Sequence, residues 1–321
     1  MVVAPGLRVT TLTDPAAFAE RVDPVVRRDP VACSVLATNL RAALQGSTLP
    51  NSRWILVETD YPAGTNAAGG GPGHADGRVA DPSDTRPAGG DVVLAGMIAP
   101  PHPLWLTPVR GAPAEQATGL LARALATAPD GPGPVLPGVR GVIGSARPFA
   151  RAWQRLTGYP HEVRMAQRMF ELTDLTEPGG VPGRGRPADL TDRDLCIDWM
   201  HAFHAEALPR ETAGDVVRIV ERRITQGGLS LWEDGARPVS LAGTSVVVAG
   251  VARIGPVYTP PHLRGHGYGA AATATASRAG FAAGAARCML FTDLANPTSN
   301  ALYPRLGYHP VGDAVHYVFL H

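Results

Sequence analysis

Arg264-Gly265-His266-Gly267-Tyr268-Gly269 follows an apolar, strand-like run from Gly250 to Thr259 that breaks at Pro260-Pro261, and it leads into an alanine-rich stretch with the pattern of a helix, roughly Tyr268 to Ala283. Three glycines in five residues remove the Cβ atoms that keep a ligand away from the backbone, and they allow a tight path along which successive N–H groups converge. The start of the following helix adds unpaired amides and the positive end of its dipole, so the segment suits an anion, in particular a diphosphate held largely by main chain, with Arg264 adding a charge. It is not a P-loop, because no Gly-Lys-Ser/Thr follows and the sequence contains no lysine. The alternate glycines also miss the G-x-G-x-x-G spacing of a dinucleotide fold, and they come near the end of the chain. An ordinary glycine-rich turn is the alternative.

Further along, a short apolar strand, Cys288-Met289-Leu290-Phe291-Thr292, is followed by Asp293-Leu294-Ala295-Asn296-Pro297-Thr298-Ser299-Asn300-Ala301-Leu302-Tyr303, and then by Gly307-Tyr308. Arg264-x-x-Gly267-x-Gly269 between a strand and a helix, with Asn296, Leu302-Tyr303 and Gly307-Tyr308 in that order downstream, resembles the GCN5-related N-acetyltransferase family. The resemblance with specific motifs covers about residues 184–321.

The resemblance implies acetyl-coenzyme A as cosubstrate and transfer of its acetyl group to a primary amine of a small molecule or peptide by direct attack on the thioester. The implied coenzyme site comprises Val257, Tyr258 and Thr259 through their main chain, Arg264, Gly265, His266, Gly267, Tyr268 and Gly269 at the diphosphate, and Asn296, Ser299, Asn300 and Tyr303 along the pantetheine arm. Tyr303 stands where the family's tyrosine protonates the departing sulfur; packing on pantetheine alone is the alternative for it. Family members often place a glutamate on the strand before the loop, whereas Gly250 to Thr259 carries Arg253 and no carboxylate. Glu206 is the candidate base, with His204 and Asp293 as substitutes, and a catalyst that only positions donor and amine is the alternative. A non-catalytic acetyl-coenzyme A-binding sensor or scaffold is the alternative function. No metal is expected: His201 and His204 share a helix face but lack a third ligand.

The elements that position these residues read as two successive copies of one pattern. The fold class is α/β (α+β), with two tandem domains of this acetyltransferase type, each a mixed, mostly antiparallel central sheet flanked by helices. In the C-terminal domain, 184–321, helices from about Asp194 to Ala207 and Ala213 to Gln226 precede a meander: Leu229 to Glu233, a turn at Asp234-Gly235, Val239 to Val246, and the strand that delivers the loop. Residues 1–178 repeat the order, with helices from Asp14-Pro15 and from about Pro30 to Leu44, strands at 54–58, 92–98 and 105–109, a helix at 114–126, a strand at 139–144, a helix at 146–156 and a strand at 165–172. This first copy has Val109-Arg110-Gly111-Ala112-Pro113 where the phosphate loop belongs. It lacks the glycine series, and Pro113 removes a donor, so it reads as a degenerate copy.

A flexible insertion is expected at about 62–90, where His74 near Asp76 is assigned no role. A linker is expected from Thr176 to Pro187, where proline and glycine end regular structure. The net charge of +1, with dispersed arginines, favours neither nucleic acid nor an anionic membrane as partner. Cys33, Cys196 and Cys288 show no paired spacing, and no leader or membrane-spanning run is evident, so a cytoplasmic monomer or homodimer is expected.

Overall fold

The computed structural model describes residues 6–47, 51–60, 90–127, 136–207 and 215–321. The insertion expected at about 62–90, with His74 and Asp76, lies outside the described residues except for Gly90. In chain order the elements are β1 (Leu7–Leu12), α1 (Pro15–Arg28), α2 (Ser34–Leu44), β2 (Arg53–Thr59), β3 (Val92–Ile98), β4 (Leu104–Leu106), α3 (Ala114–Thr127), β5 (Gly138–Val142), α4 (Ile143–Thr157) and β6 (His161–Leu172). The same order then recurs as β7 (Arg184–Pro187), α5 (Arg193–Ala207), α6 (Val216–Thr225), β8 (Leu229–Asp234), β9 (Arg237–Thr244), β10 (Val251–Tyr258), α7 (Tyr268–Ala282), β11 (Arg287–Asp293), α8 (Pro297–Leu302) and β12 (His309–Phe319). The fold is a mixed α/β one, and the repeated element order is the internal duplication expected from the sequence.

Two compact units result: Met1–Val25 with Ala43–Arg164 and His316–His321, and Val26–Ala42 with Met165–Val315. By this division β6 and β12 each give one part to each unit, and most of α2, from the first repeat, is grouped with the second unit.

In the first unit β1, β2, β3 and β4 pair antiparallel in sequence, and β4 pairs β5 in parallel. Its core is aromatic and aliphatic: Phe18 lies 5.0 Å from Trp54, and Trp153 stacks between Phe149 and Phe319.

In the second unit the strand order runs β12-β6-β11-β10-β9-β8-β7. Here β10 and β11 are the parallel pair, the counterpart of β4 and β5, while β7, β8, β9 and β10 form an antiparallel meander. The hairpin between β8 and β9 turns at Asp234-Gly235, with Gly235 at φ +64 in the left-handed region that an L side chain resists. Helix α7 lies close to the sheet because its inner face is small. Ala272, Ala274 and Ala276 join Ala252, Ile254, Cys288 and Leu290 in one buried cluster, and a Cβ on Gly280 would come within 2.9 Å of the Ala252 methyl. The opposite face of the same strands carries Val251 and Met289 against Val31. Ala252 and Ile254 therefore face α7, and Arg253 points the other way.

Part of the expected linker is a strand. Arg184–Pro187 forms the outer strand β7, registered on β8 from Arg184↔Glu233 to Pro187↔Ser230. Proline is tolerated at the end of an edge strand, so its presence signals an edge here and not a break in structure. Arg186 fastens this strand: its Nε donates to Glu233 at 2.6 Å, and its two terminal nitrogens donate to Asp192 at 2.6 and 2.8 Å. Both carboxylates are buried, so removing the guanidinium takes the ion pair from Asp192 and leaves Glu233 only the longer contact to the exposed Arg184, at 3.6 Å. Arg186→Met is expected to cost about 2–3 kcal/mol in urea unfolding, below the range for a fully buried ion pair because Arg186 keeps some solvent contact. The hydrogen bond from Arg186 holds the Asp192 carboxyl below the usual aspartate value. Its stabilising contribution is present above the ordinary aspartate pKa and fades as pH falls through the lowered value, so variant and wild type should converge on acidification.

Candidate active site

The loop after β10 has the backbone that its glycines permit. Pro260 enters a single 3-10 turn, Pro261–Leu263, Arg264 is extended, and Gly265 and Gly267 take φ +84 and +83. Gly267 is the N-cap of α7, and its carbonyl accepts from the amides of Ala270 and Ala271 at 3.0 and 3.1 Å. The amides of Gly267, Tyr268 and Gly269 precede any intrahelical bond and are left to an external acceptor. A Cβ on Gly265 would meet nothing within 4 Å, so the space beside it is open, whereas one on Gly267 would lie 2.8 Å from Val181 Cγ2. This is a cradle whose walls are main chain.

Other residues fix the loop from outside it. Tyr268 is buried and its hydroxyl donates to Asp234 at 2.5 Å, a bond that raises its pKa and ties the start of α7 to the β8–β9 hairpin. His266 is exposed and stacks on Tyr268 at 5.5 Å. Thr259 Oγ1 lies 2.9 Å from Ser240 Oγ, which also donates to the Tyr258 carbonyl at 3.0 Å. Asp234, Ser240 and Val181 were not among the residues expected here. They come from another hairpin and another loop, and nothing in their local sequence signals the contact.

Beside the cradle the sheet opens. β10 and β11 pair only at Val251↔Arg287, Ala252↔Cys288 and Arg253↔Met289, although β10 continues to Tyr258 and β11 to Asp293. The register of β10 against β9 also slips between Ile254 and Val257. This irregularity exchanges the faces: Ile254 lies against α7 before it, Val257 lies on that side after it, and Tyr258 turns to Trp199 on α5 at 6.3 Å. The edge of β10 from Ile254 to Tyr258 that faces β11 is thus left without a strand partner, and Val257 sits on it.

The segment after β11 closes the far side. Leu302 Cδ1 lies 3.9 Å from where a Cβ on Gly269 would be, so the end of α8 meets the glycine loop. Tyr303 is buried between Phe170 and Tyr308, at ring distances of 6.3 and 5.9 Å. Burial pushes its phenol up to about 12, against a smaller lowering from its hydrogen bond with Ser299, so it is a neutral donor throughout the physiological range. Asn296 caps α8 by accepting from the Ser299 amide at 3.0 Å. Asn300 is engaged at both ends of its amide, accepting from Thr292 and donating to the carbonyls of Asp293 and Leu294 at 3.0 and 3.3 Å. Its side chain therefore positions α8 on β11. Asp293 likewise accepts from the Ala295 amide at 2.9 Å.

Glu206, at the end of α5, joins a different group. One of its oxygens accepts from Arg264 Nη2 at 2.5 Å and the other from the Tyr258 hydroxyl at 3.2 Å, while Arg264 Nε donates to the Thr259 carbonyl at 2.9 Å. Burial and the Glu206 charge raise the Tyr258 pKa. Both carboxylate oxygens are occupied, and Arg264 is bound on two sides, so its remaining N–H groups are those available to a phosphate. His201 on α5 is exposed and His204 half-buried. Among the described residues no group of three or more His, Cys, Asp or Glu side chains is assembled to hold a metal ion. The three cysteines are buried and form no disulfide among the described residues, and burial pushes the thiols of Cys196 and Cys288 up to about 12.

The geometry is that of a glycine turn at the start of a helix beside an opened parallel strand pair, and residues 194–308 match the model of the Acetyltransferase (GNAT) family. The members of that family generally use acetyl-coenzyme A. Solved structures extend the likeness of fold to nearly the whole chain. A Drosophila protein aligns with a TM-score of 0.58 at 10% identity, covering 98% of this chain and 99% of its own. A GCN5-related N-acetyltransferase from Sphaerobacter thermophilus gives 0.54 at 15% identity, covering 98% and 95%. A GNAT-family acetyltransferase from Colwellia psychrerythraea gives 0.53 at 9% identity, covering 98% and 100%. No curated protein matches the sequence. No described helix is long and apolar enough to cross a membrane.

Proposed function

We propose that the chain is an acetyl-coenzyme A-dependent N-acetyltransferase, with a catalytic domain at 184–321 and a degenerate copy of it at 1–178. The observation that carries this reading is the glycine turn at Gly265 and Gly267 beside the unpaired edge of β10, with Tyr303 in the same buried cluster as Ile254 and Val257. The amides of Gly265 to Gly269 hold the diphosphate, assisted by the free N–H groups of Arg264. The pantetheine arm lies along β10, pairing with main chain at Val257 to Thr259 and passing Asn296 and Ser299. A neutral amine attacks the thioester carbonyl; the N–C bond forms, the C–S bond breaks, the nitrogen loses a proton to solvent, and the sulfur leaves as a thiolate.

Tyr303 donates a hydrogen bond to that sulfur. A phenol lifted to about 12 lies roughly 3.5 units above a thiol of ordinary pKa, about 8.5, so the proton stays on oxygen and the bond itself lowers the barrier. Glu206 holds Arg264 and Tyr258 in place, a role its two occupied oxygens support better than that of a base.

Titration calorimetry of acetyl-coenzyme A into the full chain should give one site per chain, and release of the coenzyme A thiol should then report turnover across a panel of amines. A well-folded protein that binds no acetyl-coenzyme A would end this reading. A second reading, a non-catalytic acetyl-coenzyme A sensor or scaffold, is favoured by the lack of a carboxylate on β10. It predicts binding of the same strength with no thiol release for any amine.

A further inference from the structure

Two arginines of the second unit lie behind the opened strands. Arg223, on α6, reaches across β9 to donate from Nη1 to the Gly255 carbonyl at 2.9 Å. It can do so because residue 243 is glycine: a Cβ there would sit 2.3 Å from that nitrogen. Arg253, on β10 at the last residue paired with β11, donates from Nη1 to Thr38 Oγ1 at 3.1 Å. Among the described residues neither guanidinium has a carboxylate within ion-pair distance, and the one acidic residue of α6, Glu221, is bonded to Arg193.

Each guanidinium has five N–H donors, and in each case the bond made goes to a neutral acceptor. Burial lowers both side chains to about 10, with smaller contributions at Arg223 from the Arg253 and Arg222 charges, and both remain cations at neutral pH. Half-buried like charges without an anion are costly, and an incoming oxyanion would relieve that cost.

Their place gives the pair a use. Arg253 points away from α7, because Ala252 and Ile254 on either side of it pack against that helix. Both arginines flank the irregularity of β10 at which the strands part, on the face opposite the glycine cradle's helix. We propose that Arg253 and Arg223 bind the anionic end of the acceptor, so that the substrate is a small amine carrying a carboxylate or phosphate, approaching β10 from the face away from α7. This assignment rests on the acetyl-transfer reading for the amine, and on the arginine geometry alone for the anion.

The test uses the full chain and measures thiol release with amino acids, aminoalkyl phosphates and neutral amines of matched size, such as the amino acid amides. The expected kcat/KM for one oxyanion class exceeds that of its neutral counterpart by about tenfold to a hundredfold, the range of charge-assisted contacts to guanidinium. The comparison of carboxylates with phosphates identifies the anion. In Arg253→Gln this ratio should fall toward one through a rise in KM, and Arg253→Lys should restore part of it, while the acetyl-coenzyme A affinity measured by calorimetry stays within about twofold, because no cradle contact is altered.

Neutral amines acetylated as efficiently as anionic ones by the wild type, or the same ratio in wild type and Arg253→Gln, would overturn the proposal. Should Arg253→Gln fail to fold, the same comparison is made with Arg253→Lys, whose single point charge must also reduce the ratio. Failure of acetyl-coenzyme A to bind would remove the acetyl-transfer reading alone. Calorimetric titration of the same amino acids and phosphates then decides the arginine site: saturable binding weakened by Arg253→Gln supports it, and no binding overturns it.

Discussion

Gly267→Val is expected to raise the dissociation constant for acetyl-coenzyme A at least about a hundredfold in a protein that still folds. Three effects act together at this position. At φ +83 a β-branched residue is strained by at least the roughly 1–2 kcal/mol that the left-handed region costs any L side chain. The first added carbon would also lie 2.8 Å from Val181 Cγ2, so the loop or the Val181 segment must move. Finally, Gly267 is the N-cap of α7, and any rotation that relieves the contact re-aims the amides that form the cradle. On the proposed reading those amides act on the diphosphate jointly, so losing their convergence removes more than one hydrogen bond.

Gly265→Ala provides the graded comparison. Its φ of +84 imposes strain, but a Cβ there meets nothing within 4 Å, so a loss of about tenfold is expected. Calorimetry measures both affinities, and near-ultraviolet circular dichroism shows whether the fold is intact. Wild-type affinity in Gly267→Val would mean that the glycine turn is not where the coenzyme phosphates sit.

The second large effect is expected at Tyr303. Tyr303→Phe should lower kcat by about a hundredfold to a thousandfold, as loss of a donor aimed at developing charge does in other enzymes, while the acetyl-coenzyme A affinity changes by no more than about threefold. The substitution keeps the ring that packs on Phe170 and Tyr308 and removes only the hydroxyl, whose partner Ser299 retains access to solvent, so stability should change little. The kcat of this variant separates the donor role from packing, because the ring that packs is kept. Burial lifts the phenol to about 12, so its protonated, donating form persists above the ordinary tyrosine value near 10. Wild-type turnover should therefore rise with pH as the amine substrate deprotonates and show no decline from Tyr303 below about pH 11. An unchanged kcat in Tyr303→Phe would show that the thiolate leaves without help from this residue.

Much of the fold is legible because it is local. The glycines at 265 and 267, the Asp234-Gly235 turn and the alanine-rich face of α7 each dictate a backbone path or a packing distance from residues adjacent in the chain, and the order of helices and strands in one half repeats in the other. Arg184 to Pro187 is a case where local reading misleads. Proline and glycine there suggest a linker, but Arg186 finds Asp192 and Glu233, and an edge strand accepts a proline that an inner strand would not. Likewise Glu206 reads as a free carboxylate near the acceptor until Arg264 and Tyr258 are seen to occupy both of its oxygens.

What the sequence determines by itself is the set of groups that act through the main chain or through spacing: the glycine cradle, the helix that follows it, and the succession Asn296, Tyr303, Gly307-Tyr308. Backbone torsions and short-range periodicity are properties of neighbouring residues, so they survive translation from sequence to structure. Only the tertiary structure decides how strongly Tyr303 holds its proton, how the irregularity of β10 exchanges the faces of the strand, and that Arg223 and Arg253 each donate to a neutral acceptor with no described carboxylate within ion-pair distance. Desolvation and charge pairing depend on residues from 30 to about 200 positions apart in the chain, and no pattern of adjacent residues encodes them.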